Sequence, residues 1–336
     1  MKARLLILTL LFVGICKNIS AQDLHYSQFY NAPLTINPAL TGIFNGDQRV
    51  SASIRDQWRS VPVPWFTTTV GYDQKIYSKK AEKSFFGVGG FLNYDRQGES
   101  NLTLTNLNLS GSYNYVINTN NVISLGLLVG FATRGFDESN LTWDNEWDGT
   151  QFVAGSGGEN FDIQRVAIFE SGAGLNYRLQ LNKRTKIDLG VGGFHLLSPN
   201  VTYTSSTLLP NLPRRFSVYG IGSIGLTDRL DLQLDGLGQF QGEYREYLVG
   251  GYLNYFLSKT PGKNIALRAG VGYRTSKALY PKVALQYNQV FVAFSYDIDM
   301  SEFSQHTNGR GGPELHFQYL ITHVKPMGQF KVCPIF

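Results

Sequence analysis

The sequence is short of cysteine, of charge, of proline and of helical periodicity, and each shortage removes a class of protein. Cysteine occurs only at Cys16 and Cys333. Cys16 falls in the expected leader, so no internal disulfide can staple the mature chain. Charged residues make up 16% of the chain and the formal net charge is +5, too little to suggest a nucleic-acid partner. No zinc-type Cys/His cluster, phosphate loop or dinucleotide fingerprint is present, so no cofactor and no metal is expected. Beyond the first residues, no apolar run reaches the roughly 20 residues of a membrane-spanning helix. Apolar spacing of three and four is nowhere as strong as simple alternation.

What is present begins with a leader. Residues 1–22 read MKARLLILTLLFVGICKNISAQ, a basic start, an apolar core and a small-residue cleavage site, as in a secretory signal peptide. Residues 1–21 are therefore expected to be removed. Ile15 stands where lipid attachment at Cys16 would need a small residue, which argues against a lipoprotein. Cleavage removes Lys2, Arg4 and Lys17 and no acid, leaving a formal charge of +2.

Glycine and tyrosine are abundant, at 36 and 19 residues, and the rest of the chain alternates. The stretch LDLQLDGLGQF (230–240) puts leucines, glycines and Phe240 on one parity, and Asp231, Gln233, Asp235 and Gln239 on the other. Strand side chains point alternately to two faces. The pattern alone does not say which face is inside. Similar segments predict fourteen strands, near 48–58, 65–76, 85–96, 101–117, 121–136, 163–180, 185–196, 215–227, 229–241, 243–258, 263–276, 279–286, 289–299 and 313–324. In 101–117 the apolar parity switches between Leu104 and Leu107, which predicts a bulge.

The connections separate the two readings. On the side of the N-terminus the returns are mostly tight, while the other side carries the long polar segments 137–162, 197–214 and 300–312. Short turns at one end and long loops at the other are the mark of an outer-membrane barrel. Soluble barrels rarely need more than about eight to ten strands around a packed core. Tyrosines near strand ends (Tyr113, Tyr115, Tyr247, Tyr252, Tyr255 and Tyr296) fit aromatic girdles. The expectation is an all-β chain: a transmembrane antiparallel β-barrel of about fourteen strands over 48–324, its apolar face on outer-membrane lipid.

Other signals are weaker. Asp144–Gly149 imitates the start of a calcium loop, but Gly155 falls where the bidentate Glu belongs. Trp143 and Trp147 in that loop could anchor a partner, or fold over the barrel mouth. His195 with Ser198, or His316 with Ser301 or Ser304, would be needed for hydrolysis, and nothing in their spacing aligns them. No catalytic residue is assigned and the chain is not expected to be an enzyme. Lumen charges of both signs, including Asp188, Asp231, Asp235, Arg268, Arg274, Asp297, Asp299 and Glu314, suit a salt-bridged interior. Residues 22–47 contain Pro33 and Pro38, which forbid a central strand, and form an N-terminal plug or periplasmic segment. Residues 325–336 form a C-terminal periplasmic tail.

Several blocks together resemble the PorP/SprF family. They are YSQFYNAPLTINPALTG (26–42), Arg55–Trp58, Gly71–Asp73, FHLLSP (194–199), Phe294–Asp297, Gly311–Leu315 and the closing CPIF (333–336). The resemblance spans the mature chain. It implies an outer-membrane barrel of the type IX secretion system of Bacteroidetes, exported by its signal peptide to the outer membrane of a Gram-negative cell. It also implies partners: a periplasmic ring with lipoprotein components, the large translocon, and the C-terminal domain of a secreted client. Gliding-motility members are linked to export and surface attachment of large cell-surface adhesins. On this basis Phe29, Asn37, Pro38, Gly42, Arg55, Trp58, Cys333, Pro334 and Phe336 are expected to serve docking or the plug that supports it. Trp143 and Trp147 are expected to face the client. The alternative class is a passive channel or a hydrophobic-ligand transporter.

Overall fold

The computed structural model describes residues 23–61, 63–77, 83–137, 141–153, 163–203, 211–260 and 263–322. The expected leader and the tail residues Cys333, Pro334 and Phe336 lie outside the described residues.

Alternation does become strand. The strands are β1 (Gln48–Gln57), β2 (Trp65–Tyr77), β3 (Ser84–Gln97), β4 (Leu102–Asn118), β5 (Asn121–Gly135), β6 (Arg165–Gln180) and β7 (Lys186–Phe194). They continue as β8 (Arg215–Gly225), β9 (Leu230–Gln241), β10 (Tyr244–Thr260), β11 (Lys263–Arg274), β12 (Ala278–Tyr287), β13 (Val290–Asp299) and β14 (Arg310–Ile321). Each pairs with its sequence neighbours, and β14 closes on β1 antiparallel, from Gln48 opposite Ile321 to Arg55 opposite Glu314. Closure leaves no unpaired edge, so every wall amide can be satisfied away from water.

The faces answer the ambiguity of 230–240. Leu234 is exposed while Asp231 and Asp235 are buried. On β4, Leu109 is 62% exposed and its neighbour Asn108 only 3%. A belt of leucine, valine and aromatic side chains on the outer wall has a favourable environment only in hydrocarbon. Leu109→Arg, near the middle of β4, is expected to cost about 2–4 kcal/mol in lipid vesicles, read from urea unfolding.

Two expectations need correction, for one reason. The bulge between Leu104 and Leu107 is absent: β3 and β4 pair without a break, and the irregularity of β4 lies between Val116 and Asn118. Leu104 keeps the inward parity of Asn106 and packs on Leu24 and Tyr26. Tyr252, expected in the girdle, also faces inward, buried beneath Arg268 and bonded to Gln233. The lumen is not simply wet, because the N-terminal segment runs through it, leaving a cavity of about 470 Å³ between that segment and the wall toward the short-turn mouth.

Candidate functional site

Residues 23–44 descend through the lumen from the long-loop mouth to the short-turn mouth, and nearly all are buried. Proline sets their conformation. Three 3-10 turns, Phe29–Asn31, Pro33–Thr35 and Pro38–Leu40, follow one another, two of them opened by Pro33 and Pro38. At that position the fixed φ is already helical and the missing N–H costs nothing. Asn37 caps the last turn by accepting from the Ala39 N–H at 2.8 Å. Its amide donates to the Leu175 carbonyl and the Tyr219 hydroxyl at 2.8 and 3.0 Å. Gly42 turns the chain out at φ +75°, a region that favours glycine, and its N–H donates to Asp73 at 2.8 Å.

The wall is shaped to receive this backbone. A Cβ at Gly126 on β5 would overlap Ala39, and one at Gly174 on β6 would overlap the Asn37 amide. Phe29, Ile36, Leu40 and Ile43 meet inward apolar residues of the wall, among them Phe85, Val122, Leu248 and Tyr280. Each fully buried side chain of this size stabilises by about 1.5–3 kcal/mol.

Three polar latches fix the segment. Near the long-loop mouth, Arg55 donates to the His25 carbonyl and to Asp297, both at 2.6 Å. Ser27 donates to Asp297 at 2.6 Å and receives Arg274 at 2.7 Å. Glu314 accepts the backbone N–H groups of Ser27 and Gln28 at 2.7 and 2.8 Å. This latch gathers β1, β11, β13 and β14. Near the short-turn mouth, Asp73 holds both Arg49, through two bonds of 2.8 Å, and Gly42.

The third latch holds the first described residue. Asp23 meets His195 at 2.5 Å and Arg134 at 2.9 Å, with Arg215 at 3.5 Å. His195 also meets Glu170 at 2.6 Å. Burial alone would push His195 down, but Asp23 and Glu170 outweigh it and hold the imidazole up at about 9. Burial would likewise raise Asp23, yet His195, Arg215 and Arg134 keep it well below the usual carboxylate range. The stability contributed by His195 is complete below its ordinary 6.5 and is lost as pH rises through about 9. Its scale is on the order of 3 kcal/mol. The contribution of Asp23 is lost at the acid end, as pH falls below 3.8. Raising the pH from 7 to 10 is therefore expected to speed amide exchange over residues 23–30, corrected for the intrinsic rate. His195→Gln should abolish that step.

The expected site residues divide. Phe29, Asn37, Pro38 and Gly42 are in the plug, and Arg55 is in its main latch. Trp58 sits at the long-loop end of β1, ringed by Trp65 and Phe303. That mouth is opposite the one where β1 starts and β14 ends. In the long loop Trp147 is exposed and pairs with Phe152 in a small bridge, while Trp143 is half-buried. The Asp148 carboxylate accepts from Thr150 and Gln151 of its own turn. His195 is committed to the third latch, and His316 bonds Ser53 at 2.9 Å; Ser198 meets His195 through its backbone N–H, which donates to the His195 carbonyl at 2.8 Å. Asp23, Ser27, Arg134, Glu170, Arg215 and Glu246 complete the site and were not singled out from sequence.

The blocks that carried the family resemblance converge here. Arg55, Asp73, His195, Asp297 and Glu314 are among their inward members, and each touches the plug or a residue that holds it. A family model described as type IX secretion system membrane protein PorP/SprF matches residues 18–317. No curated protein matches the chain with significance. Among solved structures, the toluene transporter TbuX of Ralstonia pickettii is similar at 12% identity, with 87% of this chain and 94% of that one covered and a TM-score of 0.51. The deltaS2S3 mutant of TodX, a monoaromatic hydrocarbon channel, is similar at 10% identity, with 86% and 92% covered and a TM-score of 0.52. At such identities the likeness is one of fold.

Proposed function

The chain belongs to the PorP/SprF family of type IX secretion system membrane proteins, and from that premise we propose that it is a plugged, non-enzymatic accessory of protein export. On this reading it is exported by residues 1–21 to the outer membrane of a Gram-negative, Bacteroidetes-type cell. The long-loop mouth faces the surface and the short-turn mouth the periplasm. The loops 137–162 and 197–214 receive the C-terminal domain of a secreted client, an adhesin in gliding-type members. Periplasmic ring and lipoprotein components and the large translocon complete the machinery.

The observation that carries this reading is the occupied lumen. A chain whose family motifs hold its own N-terminal segment in the barrel is better suited to holding partners than to conducting solutes. The hydrocarbon-channel reading draws only on shared fold. Of the two roles considered for Phe29, Asn37, Pro38, Gly42 and Arg55, the plug role is the one their burial supports. Periplasmic docking then falls to the tail with Cys333, Pro334 and Phe336, and client contact to the exposed aromatics of the long loop. Deleting residues 326–336 should leave a correctly inserted barrel that no longer pulls down periplasmic components. Unchanged recovery would overturn the docking role.

A further inference from the structure

The long-loop mouth also holds a cavity of about 300 Å³ that the latches do not account for. Trp58, Trp65 and Phe303 form its walls, with ring centroids 5.0 Å apart for the two tryptophans and 5.5 Å for Trp58 and Phe303. Both pairs stand edge to face, at 73° and 75°. Trp58 is held there at φ 54°, a conformation that strains a bulky residue, and its N–H donates to the Gly311 carbonyl at 2.8 Å. Such strain at a cavity wall points to use of the ring.

The lining is acidic. Three carboxylates, Glu246, Asp297 and Asp299, face the cavity with one guanidinium, Arg274. Arg55 pairs with Asp297 at 2.6 Å and lies 3.8 Å from Glu314, so the three lining acids still outnumber the two guanidinium groups. His25 adds no charge at neutral pH, because burial holds it down to about 4. Glu246 is 1% exposed, and neither of its oxygens has a hydrogen bond of good geometry. Its neighbours are Arg274 at 3.5 Å, His25 at 4.0 Å and a looser contact with Tyr244. The segment 137–162, which joins β5 to β6, carries seven carboxylates and no lysine or arginine, a charge that favours approach of a cationic partner.

We propose that this pocket binds an organic cation, the lysine or arginine side chain of the exported client, between Trp58, Trp65 and Phe303 and above the acids. The aromatic faces attract the cation and the acids neutralise it. The identity of the occupant rests on the export reading above, while the cation preference does not.

The full-length barrel in detergent is titrated by calorimetry and tryptophan fluorescence with N-acetyl-lysine amide, N-acetyl-arginine amide and the uncharged N-acetyl-norleucine amide. A cationic probe should bind at least about tenfold more tightly than the uncharged one. Trp65→Leu and Phe303→Leu should each weaken it by about three- to tenfold, in barrels that keep heat-modifiable migration. Equal binding of the uncharged probe, no binding, or insensitivity of both variants would overturn the pocket. In cells, the surface protein that disappears when the barrel gene is deleted defines the client, and Trp65→Leu should lower its surface level. An unchanged level would overturn the client as occupant. If no surface protein disappears on deletion, the export reading itself fails, whatever the titration gives.

Discussion

Deleting residues 24–44 is expected to convert a silent barrel into one that conducts steadily in planar bilayers. The wall does not depend on the plug for closure: its ladder runs unbroken from β1 round to β14. Emptying the lumen exposes Asp73, Asp297, Glu314 and Arg55 to water, where charges are well solvated. What is lost is the burial of Phe29, Ile36, Leu40 and Ile43, roughly 6–12 kcal/mol by side-chain transfer values, and the latches. The deleted barrel should therefore still insert, melt at lower temperature and admit small ions. A deleted barrel that inserts and stays silent would mean that some other part of the chain closes it.

Arg55→Ala is expected to be the most damaging single substitution of the plug latch. It removes the bond to the His25 carbonyl and the nearer of the two guanidinium groups at Asp297, leaving Asp297 with Arg274 at 3.8 Å and Glu314 without its arginine. Breaking one side of a buried charge cluster costs about 3–5 kcal/mol. The expected readouts are lower unfolding stability in lipid and intermittent conductance from a plug that leaves its seat. Arg59→Ala, near the end of the same strand, supplies the comparison. Arg59 meets Asp56 at 3.2 Å but its side chain is 85% exposed, and its loss should stay within about 0.5 kcal/mol.

The wall was legible in the sequence because a strand in a barrel has one apolar and one polar face along its whole length. Leu107 and Leu109 against Asn106 and Asn108 carry that signal in four residues. The places where the reading slipped, Leu104 and Tyr252, are inward residues that touch other protein groups. Period two assigns a face and is silent about what covers it. The site was legible in fragments. Asn37-Pro38 and Gly42 announce a capped turn and its exit, but nothing local says that Gly174, far along the chain, leaves room for the Asn37 amide. Arg55, Asp297 and Glu314 could be read as lumen charges. Their meeting depends on β1 closing against β14, a contact between the two ends of the barrel. Asp23 and Ser27 lacked even that signal, since single polar residues in an irregular segment have no face. The inward charges near the long-loop strand ends, Arg134, Arg215 and Glu246, mark the level of a latch without naming its partner.

The most direct measurement is a cross-link between the plug and the wall. The Thr41 and Ser110 hydroxyls lie 2.6 Å apart, close enough for cysteines at both positions to bond after modest adjustment. With Cys333 replaced by serine, Thr41→Cys with Ser110→Cys should oxidise in folded, heat-modifiable barrels and yield a peptide joining the two positions after proteolysis. Folded barrels in which both thiols stay free and open to alkylation would put residues 23–44 outside the lumen and contradict the account.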